Sequence, residues 1–414
     1  MTLLEKYANV ILTSLNLQKG QNLLVRTEPV HWNFASIIAA EAYKKGARYV
    51  RVDSNEKENL LLYKARIENS EDKFLDYVPA FRTETLRLLV EENWALIALN
   101  GTENPEILSN LDPDRNTKAG KAVAEAGKPF REATQNNRIQ WIVAFAPTEI
   151  LAGKIMDLPP SQTAIDKLWE VLIPILHLDE KDPSAAWVKN GETLKRRASA
   201  LNNLMFKEVY FKGPGTDLKI GLSKKAIWHG GSSVTEKGIE FSPNIPTEEV
   251  FTAPDFRTTE GRVSITRPVL VPAIGKIIEG AWLEFKKGKL VNYGAEKGKD
   301  VLDQYLAIDP AAAYLGELAL VDSNSLIFKS GKTFYNILFD ENASCHIALG
   351  SAYPDCYEGG NSMGGEELLA NGINVSNLHT DFMIGSPDVK VTGLTWDGKE
   401  INIILDGEFT AEFA

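Results

Sequence analysis

Ala95-Leu96-Ile97-Ala98-Leu99 and Gln140-Trp141-Ile142-Val143-Ala144-Phe145 are two apolar runs with the length of buried strands. Outward from them, the first half of the chain alternates between strand-like and helix-like segments. Asn22-Leu23-Leu24-Val25-Arg26 follows the turn residues Lys19-Gly20, and residues 48–52 form a further short strand. Residues 3–17, 32–45, 59–67 and 84–93 repeat apolar side chains at helical spacing, and the second of these stops at Gly46, a C-cap residue. Strands separated by helices predict an α/β domain with a doubly wound, mostly parallel sheet. No glycine-rich dinucleotide fingerprint or P-loop follows any of these strands, so nucleotide binding does not come with the fold. Two longer amphipathic helices, 161–178 and 184–204, bridge to the second half, which places the first domain at 1–205.

After residue 205 the texture changes. Residues 208–211, 217–222 and 262–266 alternate as half-buried strands do, and residues 282–291 read as a hairpin turning at Lys287-Gly288. Residues 301–315 are expected to be helical. The tail holds two more turns, Asp397-Gly398 and Asp406-Gly407, between β-branched runs. The expectation is a strand-rich, mostly antiparallel α+β domain over 206–414.

The chain of 414 residues is 44% hydrophobic and 24% charged, which is the composition of a globular protein with two or three cores. Its net charge of −11 argues against general nucleic-acid binding and against attraction to anionic membranes. The two cysteines, Cys345 and Cys356, are too few for a disulfide framework and suit a reducing compartment. The N-terminal segment carries Glu5 and Lys6 inside its apolar pattern, so it reads as an amphipathic helix rather than a signal peptide. A cytoplasmic protein is expected.

The chemistry concentrates between Asp340 and Asp381. This stretch opens Asp340-Glu341-Asn342-Ala343-Ser344-Cys345-His346, passes Tyr353 and ends His379-Thr380-Asp381. Two of the chain's five histidines lie here, each close to a carboxylate. Mixed imidazole and carboxylate ligands suit Zn²⁺, Co²⁺ or Mn²⁺, and when positions stay open such sites are catalytic. On a strand, His379 and Asp381 project from one face, because side chains alternate with period two. Two acidic features upstream add to the inventory: Glu248-Glu249, and Glu317 within the apolar run 315–321, where a lone carboxylate is expensive to bury unless paired or bound to a cation. Together these residues suffice for two cations, and two ions about 3.5–4 Å apart can activate a shared water and polarise a carbonyl. His31, His177 and His229 read as turn or structural residues, and Cys345 as a small buried hydrophobe.

At these residues the chain resembles the thermophilic-type metalloaminopeptidases, the aminopeptidase T, aminopeptidase S and PepS group. The marks are Gly215-Thr216-Asp217-Leu218, the run 246–254, Leu315-Gly316-Glu317, the run 339–346 and the run 379–385, in that order over essentially the whole chain. The resemblance implies two divalent metals per subunit. It further implies a dinuclear site of one Glu of the 248/249 pair with Glu317, His346, Tyr353, His379 and Asp381, and a homodimer. By analogy with other two-metal aminopeptidases, Glu248 is assigned as general base and Glu249 as ligand, with the order within the pair left open.

The expected function is therefore a metal-dependent aminopeptidase releasing N-terminal residues from short peptides with a free N-terminus. Zn²⁺ or Co²⁺ are the expected ions, with Mn²⁺ and Mg²⁺ as alternatives. Tyr353 is expected to serve as ligand or as oxyanion donor. The rival readings are another metal-dependent amidohydrolase or carboxypeptidase, and a two-domain peptide-binding protein with a structural metal.

Overall fold

The first helix is set by its own N-terminus. The Thr2 hydroxyl accepts from the Glu5 N–H, and the Glu5 carboxylate accepts from the Thr2 N–H, forming a capping box. In the computed structural model, which describes residues 1–54, 59–104, 107, 108 and 110–414, this helix is α1 (Leu3–Ser14). It ends short of residue 17 because Asn16 takes a left-handed conformation at φ 52°. There follow β1 (Asn22–Thr27), α2 (Trp32–Lys44), β2 (Tyr49–Asp53), α3 (Leu60–Asn69), α4 (Ala80–Glu91) and β3 (Ala95–Asn100). Then come α5 (Pro113–Ala126), α6 (Lys128–Gln135), β4 (Trp141–Phe145), α7 (Glu149–Met156), α8 (Gln162–Ile175) and α9 (Pro183–Leu204).

The four strands form one sheet in the order β2-β1-β3-β4, with every neighbouring pair parallel. The apolar runs of β3 and β4 lie side by side in it. The strand order reverses between β1 and β3, where open α/β sheets commonly hold a ligand. Here that edge is stitched by the protein itself. Thr27 Oγ1 donates to the Leu99 carbonyl at 3.1 Å, and His31 Nε2 donates to the Gly101 carbonyl at 2.6 Å. Burial holds the His31 imidazole below its usual basicity, against the pull of that carbonyl, so it is a neutral structural donor.

The remaining strands are β5 (Phe206–Gly213), β6 (Thr216–Gly221), β7 (His229–Gly230), β8 (Ser233–Val234), β9 (Glu240–Phe241), β10 (Val250–Thr252), β11 (Glu260–Ser264), β12 (Val269–Val271), β13 (Lys276–Ile278), β14 (Trp282–Lys286) and β15 (Lys289–Gly294). After α10 (Lys299–Ile308) come β16 (Leu315–Leu320), β17 (His346–Gly350), β18 (His379–Met383), β19 (Lys390–Thr395), β20 (Glu400–Leu405) and β21 (Glu408–Phe409). The β14–β15 turn has positive φ at both Lys287 and Gly288, 49° and 78°, as a two-residue hairpin loop requires. The helix expected to reach residue 315 stops at Ile308 instead. Pro310 disfavours helical backbone at Asp309, and the chain re-enters a strand at Leu315.

The chain divides into two compact units. One is Met1–Val188 with Ser232–Ile245, the other Lys189–Gly231 with Pro246–Ala414. The excursion 232–245 belongs with the parallel sheet because Asn244 bridges to Val143 of β4 and Phe241 packs edge-on against Trp141. The second unit holds a five-stranded sheet, β18-β17-β16-β10-β7, and an eight-stranded sheet, β15-β14-β11-β6-β5-β19-β20-β21, both antiparallel throughout. Phe211 and Ile220 of the larger sheet share a core with Leu318, Ile347 and Phe382 of the smaller one.

Candidate metal centre

The five-stranded sheet sorts its side chains by the pleat. On β16, Leu318 and Leu320 enter the core, so Glu317 and Ala319 emerge on the opposite face. Cross-strand pairing carries that face outward. Glu317 lies opposite Ala348, which lies opposite Asp381; Ala319 lies opposite Phe251 on one side and His346 on the other. His379 sits two residues before Asp381 on β18, on the same face. The positions between these ligand-type residues are filled by Ala319 and Ala348, whose methyl groups leave room above the sheet.

A bulge sets this pattern. Leu315 pairs with Leu349 and Glu317 with Ala348, so Gly316 is an extra residue. It lets Leu315 turn into the core while Glu317 stays on the ligand face. A Cβ at Gly316 would stand 2.2 Å from the Ser351 carbonyl oxygen, which only glycine permits.

Two groups of potential ligands result, Glu249 with Glu317 and His346, and Glu317 with His379 and Asp381. Glu317 is common to both. Its Oε1 lies 3.4 Å from His346 Nε2, and its Oε2 lies 3.6 Å from His379 Nε2. Glu249 Oε2 is 3.1 Å from His346 Nε2, and Asp381 Oδ1 is 3.3 Å from His379 Nε2. Both imidazoles are turned by main-chain acceptors. His346 Nδ1 donates to the Ser344 carbonyl at 3.2 Å and His379 Nδ1 to the Ser351 carbonyl at 2.7 Å, which leaves each Nε2 facing the carboxylates.

Burial sharpens the electrostatics. Removal from water opposes a charge on His346, yet the close carboxylates of Glu249 and Glu317 and the charge of Asp381 hold it well above ordinary histidine basicity. For His379, desolvation is outweighed by Asp381, and the imidazole is raised to about 10. The 27% of its side chain still open to water makes that desolvation incomplete. Burial raises the Glu317 carboxyl, while burial of Asp381 is overcome by His379, which keeps it below the usual carboxylate range.

The other residues singled out in the sequence are placed as follows. The Tyr353 ring stands edge-on to the His379 imidazole at 5.5 Å, and burial followed by the charges of Glu317 and Asp381 pushes its phenol well above its usual value. Glu248 and Glu249 precede β10 outside any strand. Glu249 joins the ligand group, whereas the Glu248 carboxyl is raised to about 7 by burial and by Asp322, with Arg197 opposing. Glu341, outside the ligand set drawn from the sequence, is buried among these acids: desolvation, then Glu249 and Asp381, raise it well above the carboxylate range. Its position next to the His346 segment was the available signal, but only folding shows which acids face it.

The donor set fits a cation. Glu249 Oε2, His346 Nε2 and Asp381 Oδ1 are buried without a hydrogen-bond partner, although each has a charged or ligand-type atom within 3.1–3.4 Å. Such orphans are costly in a protein interior unless something else binds them. A further group, His229 with Asp355 and Cys356, is a poorer fit. His229 Nε2 already donates to the Asp355 carbonyl at 2.9 Å, and burial pushes the Cys356 thiol well up. Cys345 is likewise a buried thiol, raised to about 11, with Sγ against the Val321 carbonyl.

With this geometry, the thermophilic metalloprotease family, M29, matches residues 1–409. Aminopeptidase 2 of Geobacillus stearothermophilus is 38% identical over 99% of this chain and 98% of its own. Aminopeptidase T of Thermus aquaticus is 37% identical over 96% of both chains. The solved structure of wild-type AmpT from Thermus thermophilus superposes with a TM-score of 0.90 at 35% identity, covering 99% of each chain.

Gly316→Ala should displace the Ser351 carbonyl that orients His379. We expect a destabilisation of about 1–3 kcal/mol by urea unfolding and metal affinity weakened about 10–100-fold. Ser351→Ala, which keeps the carbonyl, should match wild type in both measurements.

Proposed function

The chain belongs to the thermophilic metalloprotease family M29 and is a metallopeptidase, and from that premise we propose an aminopeptidase that releases N-terminal residues from short peptides at a two-cation centre. The observation that carries this reading is the sharing of Glu317 between two groups, one carboxylate oxygen toward each imidazole. One divalent cation would be held by Glu249, Glu317 and His346, the other by Glu317, His379 and Asp381. Zn²⁺ or Co²⁺ suits this donor set best, with Mn²⁺ or Mg²⁺ as alternatives. When bound, the ions supply Lewis-acid polarisation of the scissile carbonyl and lower the pKa of a water.

The chain's own residues complete the chemistry. Carboxylates outnumber imidazoles on the ligand face, which favours the ammonium of a free N-terminus. Tyr353 keeps its proton well above neutral pH without a cation nearby; it would serve as a ligand where cation charge stabilises the phenolate, or as a hydrogen-bond donor to the developing oxyanion. For the proton carrier between water and leaving amine, two glutamates compete. The Glu341 carboxyl lies in the field of Glu249, Asp381 and Glu317, whereas Glu248 answers most strongly to Asp322 and Arg197. We place proton transfer at Glu341 and keep Glu248 as the alternative.

A homodimer is supported by exposed apolar side chains on and around α3 and α4, among them Leu61, Leu62, Tyr77 and Phe81. Two unpaired cysteines support a reducing, cytoplasmic setting, and among the described residues no helix is long and apolar enough to cross a membrane.

Aminoacyl chromogenic amides with free and blocked amines, each with and without chelator, test the reaction. Chelator-sensitive release from the free-amine substrates alone is expected. Release from blocked substrates would favour another amidase, and no turnover with any of the four metals would favour a binding protein. Glu341→Gln should lower kcat by about 10²–10⁴-fold with KM little changed, and Glu248→Gln should stay near wild type. The reverse result moves the proton carrier to Glu248. Metal uptake should release protons, because His346 and His379 are protonated at neutral pH without a cation and must lose those protons to bind one. Calorimetry in buffers of different ionisation enthalpy reads this, with affinity climbing as pH rises towards about 10. Light scattering should return the mass of two chains, and a monomer would remove the dimer.

A further inference from the structure

The segment 246–249 carries Glu249 to the ligand face without belonging to a strand. Its main chain must therefore be held by something other than a ladder. Asparagine side chains do this at two points. Asn190 Nδ2 donates to the Thr247 carbonyl at 2.8 Å, and the Glu248 N–H donates to Asn342 Oδ1 at 2.7 Å.

Asn342 has a second task. It is wholly buried, in the short turn Glu341–Ala343. Its Nδ2 donates to the Leu338 carbonyl at 2.9 Å and to Glu341 Oε1 at 3.3 Å. Its own carbonyl accepts from Ser325 Oγ at 2.9 Å. The orientation of the amide follows from its partners: Oδ1 must face the Glu248 N–H, and Nδ2 must face the Leu338 carbonyl. One planar group thus joins the segment that delivers Glu249 to the carboxylate of Glu341, which lies in the field of the same ligands.

We propose that Asn342 is a positioning residue of the hydrolytic site, fixing Glu341 and Glu249 relative to each other through its two amide ends. Leucine or alanine would strand a backbone donor and release the carboxylate together. Aspartate keeps the shape and the acceptor for the Glu248 N–H, but sets a carboxylate where Glu341 now meets a donor. The two ends can therefore be separated.

The inference rests on the two-cation reading, so the experiment loads the metal-free full-length protein with Co²⁺ and follows stoichiometry and visible absorption beside kcat, KM and the thermal midpoint. Asn342→Asp is expected to bind Co²⁺ with an altered spectrum and to lose about 10–100-fold in kcat, with KM within about threefold of wild type. Ser325→Ala, which removes the contact to the Asn342 carbonyl and the cap on the Ile327 and Phe328 N–H groups but leaves both ends of the Asn342 side-chain amide intact, should keep the wild-type spectrum and kcat even where its midpoint falls. Should Asn342→Asp fail to fold, Asn342→Ser is read in the same way. A wild-type spectrum and kcat in the Asn342 variant, or a kcat loss that Ser325→Ala reproduces at equal destabilisation, overturns the proposal. Wild-type protein that takes up no Co²⁺ instead overturns the two-cation reading itself.

Discussion

Glu317 is a carboxylate in the middle of an otherwise apolar strand, with 5% of its surface accessible. A lone ionised carboxylate there would be strongly penalised, and most proteins avoid the situation or neutralise the group. Here each of its oxygens faces a different imidazole, and each imidazole faces a second carboxylate. Two histidines cannot neutralise Glu249, Glu317 and Asp381 together, even when both are protonated, and the same crowding of acids holds a proton on Glu341. The surplus is negative, so further positive charge is what the arrangement accommodates best. The small residues at 319 and 348 keep the space above the sheet open for it.

This placement depends on the division of the sheet into two faces. Leu318, Leu320, Ile347, Leu349 and Phe382 anchor one face in the shared core, so a slip of one residue in any of these strands would send the ligands into hydrocarbon. The core thus specifies the register that the site requires. The bulge at Gly316 is the one break in the alternation, and it ties the two requirements together. It satisfies the core with Leu315 and brings Ser351 close enough that its carbonyl can hold His379.

Much of this was legible in the sequence because it follows from periods and residue types. His379 and Asp381 share a face by simple alternation, the apolar runs of β3 and β4 read as buried strands, and Lys287-Gly288 reads as a turn from its glycine. What escaped depends on partners distant in the chain or on weak local signals. Helix α5 has a single buried residue, Ala119, so it carries no apolar stripe to detect. The excursion 232–245 is assigned by a bridge to Val143, about a hundred residues away, and no local pattern announces it. The separate surroundings of Glu248 and Glu249 were also hidden. Adjacent residues outside a strand have no fixed alternation, and Asp322, Arg197 and Asn342 all come from other parts of the chain.

The energetic scale explains why such a centre must be over-determined. Three buried ligand atoms have charged neighbours close by but no aligned hydrogen bond, so each forgoes part of the about 1–3 kcal/mol that a well-made bond in the interior protects. A fold that carries this load without relaxing must prevent the ligand side chains from turning away to find other partners. His346 and His379 are restrained by main-chain carbonyls, Glu317 by a strand buried along its whole length, and Glu249 by a segment held through the side chains of Asn190 and Asn342. The acceptors that fix both imidazoles are peptide carbonyls, which no side-chain substitution at Ser344 or Ser351 removes. Substitutions that move the backbone at those two points, rather than changes at the serines themselves, are therefore the ones that would release the imidazoles.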